Sequence, residues 1–241
     1  MMRSLPMLST AMLSTGMLLA SVLLATATSH ARPLPAAPEQ AGTAGEAAAV
    51  EADWILDKLA RPAPMRTAFV ELRESRLLKN PLRLSGEYRR PAGDVLVREV
   101  RAPYAETTTI RAGEATIERA GKSPRTFSLS RAPELAGLQA SFGALLSGDR
   151  AGLAEHYTID SDGTRQHWTL TLVPKHADLS AQLRDIILYG RGAELRCIET
   201  RTPDAAEPQR TLLAGAARAA AGVDDPAGFA ALCHGDGATA Q

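Results

Sequence analysis

An α+β fold is predicted for this chain: one strongly curved antiparallel sheet with helices against its concave face. Period-two alternation recurs in short runs over most of residues 67–213. Two segments, 46–59 and 133–149, instead carry apolar residues at helical spacing, and steps rich in Pro, Gly and Asp separate the alternating runs. Many short strands, with one helix before them and one among them, give this architecture rather than a parallel sheet.

The first element is a leader. Arg3 precedes an apolar stretch over residues 5–25, and Ser29-His30-Ala31 then offers a small-x-small cleavage site, so residues 1–31 read as a secretory signal peptide. Ser9, Thr10, Ser14, Thr15, Gly16 and Ser21 interrupt the stretch and Arg32-Pro33-Leu34-Pro35 follows it, which makes a permanent span the weaker reading. The mature chain is therefore expected outside the cytoplasm, and no cysteine near the cleavage site would take a lipid anchor. Residues 32–45, composed of Pro, Ala, Gly and Gln, read as a flexible leader.

The folded domain is expected over residues 46–215. Val50, Trp54, Ile55 and Leu59 recur at helical spacing, and Arg61-Pro62-Ala63-Pro64 ends that helix. Strands follow at 67–76 and 82–88 and, after the turn Arg90-Pro91-Ala92-Gly93-Asp94, at 95–100, 106–111, 115–119 and 125–129. Leu135, Leu138, Phe142, Leu145 and Leu146 then form one helical stripe, ended by Ser147-Gly148-Asp149. Strands resume at 154–160 and 165–173 around the turn Asp160-Ser161-Asp162-Gly163, and at 186–189, 195–201 and 210–213. Residues 216–241 read as an Ala/Gly-rich tail.

Composition narrows the function. The 27 basic and 27 acidic residues balance with no block of like charge, which argues against nucleic acid as a partner. Cys197 and Cys233 are the two cysteines; in an oxidising compartment they can form a disulfide, and two separate thiols are the alternative. No Gly-x-Ser-x-Gly elbow, phosphate loop or dinucleotide fingerprint is present. His156 and His167, which could face each other across a hairpin, have no third ligand or nucleophile in the pattern, so neither a metal nor a hydrolase site is assigned. What remains is an apolar interior. A helix laid on a curved sheet either packs down as core or leaves a cavity that something else fills.

The order of segments carries a resemblance. Leu84-Ser85-Gly86, Arg90-Pro91-Ala92, Ala102-Pro103-Tyr104-Ala105-Glu106, Leu145-Leu146-Ser147-Gly148-Asp149, the run from His167 to Pro174 and Leu195-Arg196-Cys197-Ile198-Glu199 resemble a divergent, LolA-related branch of the LolA family of periplasmic outer-membrane lipoprotein carriers. The resemblance implies an incomplete β-barrel of the LolA/LolB type, closed by helices around a cavity for acyl chains. It implies a periplasmic carrier and no enzyme, without cofactor or metal, working as a monomer between an inner-membrane donor complex and an outer-membrane acceptor. Its cargo would be an acylated lipoprotein or another lipid-like molecule. The candidate cavity residues are Leu84, Val95, Val97, Ile117, Phe127, Leu135, Leu138, Phe142, Leu146, Trp168, Leu170 and Leu172. In the family an arginine before a proline holds the lid closed, and the matching position is Arg90. A cargo-free envelope-assembly protein on the same fold is the alternative.

Overall fold

Alternating runs that cannot each bury a face alone assemble into one antiparallel sheet of eleven strands. The structure is a computed structural model, and the residues it describes are 49–73, 81–92, 95–129, 150–205 and 207–235. They begin with α1 (Ala52–Leu59), then β1 (Met65–Arg73), β2 (Leu82–Arg90), β3 (Val95–Ala102), β4 (Glu106–Arg111), β5 (Glu114–Arg119) and β6 (Arg125–Ser128). After α2 (Arg150–His156) come β7 (Tyr157–Gly163), β8 (Trp168–Pro174), α3 (Ala177–Ser180), β9 (Asp185–Arg191), β10 (Glu194–Arg201) and β11 (Gln209–Leu213). The described residues end with α4 (Ala214–Ala219) and α5 (Pro226–His234). The signal peptide, the leader and the stripe of Leu135, Leu138, Phe142 and Leu146 lie outside the described residues.

The spatial order is β6-β5-β4-β3-β2-β1-β11-β10-β9-β8-β7, so the first six strands and the last five are two meanders joined where β1 pairs with β11. The sheet stays open, with β6 and β7 as its edges: an incomplete barrel. Pairing fixes which residues share a face. Phe69 is opposite Leu213 and Gly86, and Val70 is opposite Leu212 and Ser85. The inner face gathers Phe69, Leu84, Tyr88, Leu96, Val100, Ile110, Leu170, Leu172, Ile186 and Leu188 into one buried cluster, which Ile55, Leu56 and Leu59 of α1 join. Its register needs two glycines. A Cβ on Gly86 would stand 1.8 Å from the Glu99 carbonyl oxygen, and one on Gly190 would stand 2.0 Å from the Trp168 ring.

Two segments carry more helix than the sequence reading gives them. Residues 154–156 belong to α2, and the strand starts at Tyr157. Its apolar signal was continuous because Leu153 of the helix and Tyr157 of the strand are both buried in the same core. Within the Ala/Gly-rich segment, as far as residue 235, α4 and α5 pack on the outer face, where Ala216, Ala217, Ala220 and Phe229 form a second cluster with Val70, Leu72 and Leu212. Helices therefore cover both faces. Asp225 caps α5 by accepting the Gly228 N–H at 2.8 Å, Pro226 opens the helix, and Gly235 ends it at φ 92°.

Cys197 of β10 and Cys233 of α5 are joined by a disulfide, with their Cα atoms 5.1 Å apart and a separation of 36 positions in sequence. The crosslink clasps α5 to the sheet beside buried Phe229. A loop of that length confers about 3–4 kcal/mol in the chain-entropy account. Urea denaturation of the Cys197→Ser/Cys233→Ser variant should show a loss of that size, and reductant should destabilise the wild type but leave the variant unchanged.

Candidate functional site

The candidate site is the inner face and the helix across it. Leu84, Trp168, Leu170 and Leu172 are all buried there. Phe127 is half-buried against the same cluster. Ile117, half-buried, takes the inner face by its pairing with Thr108. Val95 and Val97 point the other way: the register pairs Leu96 with Ile110 and Arg98 with Thr108, so Leu96, Arg98 and Val100 are the inward residues of β3. Three consecutive apolar residues, Val95-Leu96-Val97, leave the phase of alternation undetermined until a partner strand fixes it.

α1 bridges the two meanders. At its start, the Val50 N–H donates to Gly163 O at 3.1 Å and Ser161 Oγ donates to Val50 O at 3.0 Å, while Arg150 Nη1 pairs with Asp53 Oδ2 at 2.6 Å. Beyond its end, Arg90 Nη1 donates to the Arg61 carbonyl oxygen at 2.9 Å, and Arg61 Nη2 donates to the Ala193 carbonyl oxygen at 3.1 Å. Arg90 is buried and belongs to β2, whereas Ala193 lies in the β9–β10 turn. One short segment after α1 is thus tied to both halves of the sheet. Beside it opens a groove of about 630 Å³ floored by Leu59, Met65, Leu195 and Leu213.

The inner face also holds charge that the sequence pattern does not single out. Glu71, Arg98 and Glu106 are 2%, 7% and 9% exposed. Arg98 reaches Glu71 Oε2 at 3.2 Å and Glu106 Oε1 at 3.9 Å, and its guanidinium lies 4.8 Å from the centroid of the Phe69 ring. Thr211 Oγ1 donates to Glu71 at 3.5 Å, Arg73 pairs with the other oxygen of Glu71, and Arg119 pairs with Glu106. The available signal was phase: Glu71 shares the parity of Phe69, Arg98 that of Leu96 and Val100, and Glu106 that of Ile110. Buried charges persist when paired in this manner.

The other histidine and acid groups fall outside this face. His156 meets His176 edge-on with ring centroids 5.8 Å apart, and His167 Nε2 accepts from Arg191 Nε at 3.1 Å, so the two do not face each other. On the outer face Glu199 accepts from Arg210 Nε at 2.5 Å and from Tyr189 Oη at 3.1 Å, with His234 Nε2 also at 3.1 Å. Burial pushes the Glu199 carboxyl up, but those partners outweigh it and hold the group below its ordinary value. His234 and Cys233 bring possible ligand atoms within 4.8 Å of Glu199. With the Cys233 sulfur in the disulfide and Glu199 already bound by Arg210, that set suits a latch better than an ion.

Glu71→Ala should cost about 3–5 kcal/mol in urea denaturation, because it strips a buried guanidinium of its nearest carboxylate. Glu71→Gln, which keeps an acceptor, should cost less. Burial raises the Tyr88 phenol from 10.0 to about 12 against the lowering pull of Arg98, and burial with the Glu199 charge raises Tyr189 to about 12. The folded chain holds these protons more tightly than the unfolded chain does. Stability from both groups is therefore complete below the ordinary phenol value and falls as pH rises towards about 12. Alkaline titration followed by tyrosinate absorbance should show their ionisation coinciding with unfolding.

The family model for outer membrane lipoprotein carrier protein LolA-like matches residues 44–237. Among solved structures, a LolA superfamily protein from Nitrosomonas europaea is 12% identical, with a TM-score of 0.37 over 68% of this chain and 91% of that one. No curated protein matches. Among the described residues no helix is long and apolar enough to cross a membrane. The family match runs from ahead of α1 to beyond α5, taking in every strand of the sheet, and the chain belongs to the LolA-like outer membrane lipoprotein carrier family.

Proposed function

We propose that the mature protein is a periplasmic carrier that shelters the acyl chains of a lipoprotein or another lipid-like molecule against the inner face of its sheet and shuttles it towards the outer membrane. The observation that carries this reading is the apolar inner face crossed by α1, in a chain of the LolA-like family. Each methylene exposed to water costs about 0.8 kcal/mol, so an acyl chain crosses an aqueous compartment only if an apolar surface covers it. Leu84, Ile117, Phe127, Trp168, Leu170 and Leu172 are the residues on that face assigned to the cargo. No covalent step is needed. An inner-membrane donor would load the carrier and an outer-membrane acceptor would unload it.

Arg90 is the gate in this reading. Its bond to the Arg61 carbonyl holds the segment after α1 to β2, and breaking it would free the end of the helix to lift. The buried Glu71–Arg98–Glu106 network favours the rival reading, a cargo-free envelope-assembly protein, because fixed charges on the inner face limit the surface that an acyl chain can use.

Native mass spectrometry with lipid extraction, on protein purified from the periplasm without detergent, separates the two. A co-purified acyl or polyene species is expected. A clean apo mass, with no uptake of added lipids or lipopeptides, would instead establish the cargo-free protein. Arg90→Leu should accelerate release of a bound fluorescent acyl probe with little change in fold, and an unchanged release rate would remove the gate.

A further inference from the structure

The groove after α1 differs in charge from the face it adjoins. Leu59 and Leu213 of its floor belong to the buried inner cluster, and Met65 and Leu195 pack onto that cluster, so the floor is continuous with the apolar inner face. Its rim carries Arg61, Arg66 and Arg191, all exposed. Among the described residues Arg61 donates to the neutral Ala193 carbonyl at 3.1 Å, Arg191 donates to a ring nitrogen of His167 at 3.1 Å, and Arg66 feels the charge of Glu99, a carboxylate that Arg89 and Arg101 already share at 3.0 and 2.9 Å. The carboxylate in the lining, Glu194, is engaged by the Gly215 N–H at 2.6 Å. The rim therefore sets three guanidiniums against one carboxylate that already has a partner.

An apolar floor under a rim with an excess of positive charge is complementary to an amphiphile with an anionic head. Guanidinium forks match phosphate oxygens two at a time, and a phosphate monoester, carrying close to two negative charges at neutral pH, balances the excess on the rim. A volume of about 630 Å³ lies within the range of small-ligand sites. We propose that this groove binds a single-chain lipid bearing a terminal phosphate monoester, with the chain on the Leu59–Leu213 floor and the phosphate held by Arg66 and Arg191. The proposal rests on the carrier reading and adds to it the chemistry of the head group. Arg61 stands at the same rim, and its carbonyl is the acceptor of the Arg90 bond, so head-group binding and the closure of α1 share a residue.

Isothermal titration of the mature chain with lysophosphatidic acid, the matching free fatty acid and the matching monoacylglycerol tests this. Lysophosphatidic acid should bind about tenfold tighter than either competitor, with the preference shrinking as salt rises. Arg66→Gln/Arg191→Gln should abolish the preference and leave monoacylglycerol binding unchanged. Leu195→Glu should weaken all three lipids, with circular dichroism checking that the variants fold. Equal affinity for the three lipids in the wild type, or a preference that survives the double arginine variant, would overturn the phosphate site while leaving the carrier reading intact. Binding of none of the lipids, at the groove or elsewhere, would overturn both.

Discussion

The pairing of β1 with β11 is the constraint on which the rest of the molecule depends. It joins residues such as Phe69 and Leu213 that are far apart in sequence, and without it the chain would be two separate meanders. It also settles the faces: with Phe69 and Leu213 directed inward, Val70 and Leu212 must be directed outward, and each later pairing inherits that choice. Closing so long a stretch of chain carries an entropic cost that pairing within either meander does not. The inner core under α1, the outer core under α4 and α5, and the crosslink between β10 and α5 all surround this seam.

The two faces are put to different uses. The outer face is closed with small side chains: alanines of α4 approach the strands closely, and Phe229 fills the remaining space beside the disulfide. Glu199 is satisfied there by Arg210, Tyr189 and His234 together. The inner face has a wider apolar expanse but also a paired charge cluster, and α1 is held over it by its buried Ile55, Leu56 and Leu59 and by polar contacts at its two ends rather than by a crosslink. Hydrogen bonds that each contribute about 1 kcal/mol can be exchanged, whereas a disulfide cannot. The fold thus has a fixed side and an adjustable side.

Much of this architecture was legible in the sequence, because strands with one buried face announce themselves by alternation. Leu84, Trp168, Leu170 and Leu172 were placed inward on that basis, and Trp54, Ile55 and Leu59 marked α1. Val95 and Val97 were not resolvable, since a run of three apolar residues has no phase of its own and Ile110 on the neighbouring strand decides it. The helices of the C-terminal segment were hidden for a different reason: Ala216, Ala217 and Ala220 carry almost no hydrophobic contrast, and become core only because the outer face of the sheet is there to receive them. The inward charges Glu71, Arg98 and Glu106 sat in strands where a charged residue ordinarily marks the solvent side, and their mutual pairing depends on contacts between β1, β3 and β4 that no local window contains.

The two tryptophans divide the molecule between them. Trp168 is 2% exposed on β8, lies across Gly190, and donates its indole N–H to Gly192 O at 2.9 Å. Trp54 sits half-buried on α1, with the Arg165 guanidinium 5.3 Å from its ring centroid. An indole beside a cation on a helix surface and an indole sealed in a sheet emit differently. Lifting of α1 would therefore carry Trp54 away from Arg165 while Trp168 keeps its place on β8 against Gly190, whereas melting of the sheet would release both. The chain carries its own optical reporter of opening, separable from unfolding without any attached dye.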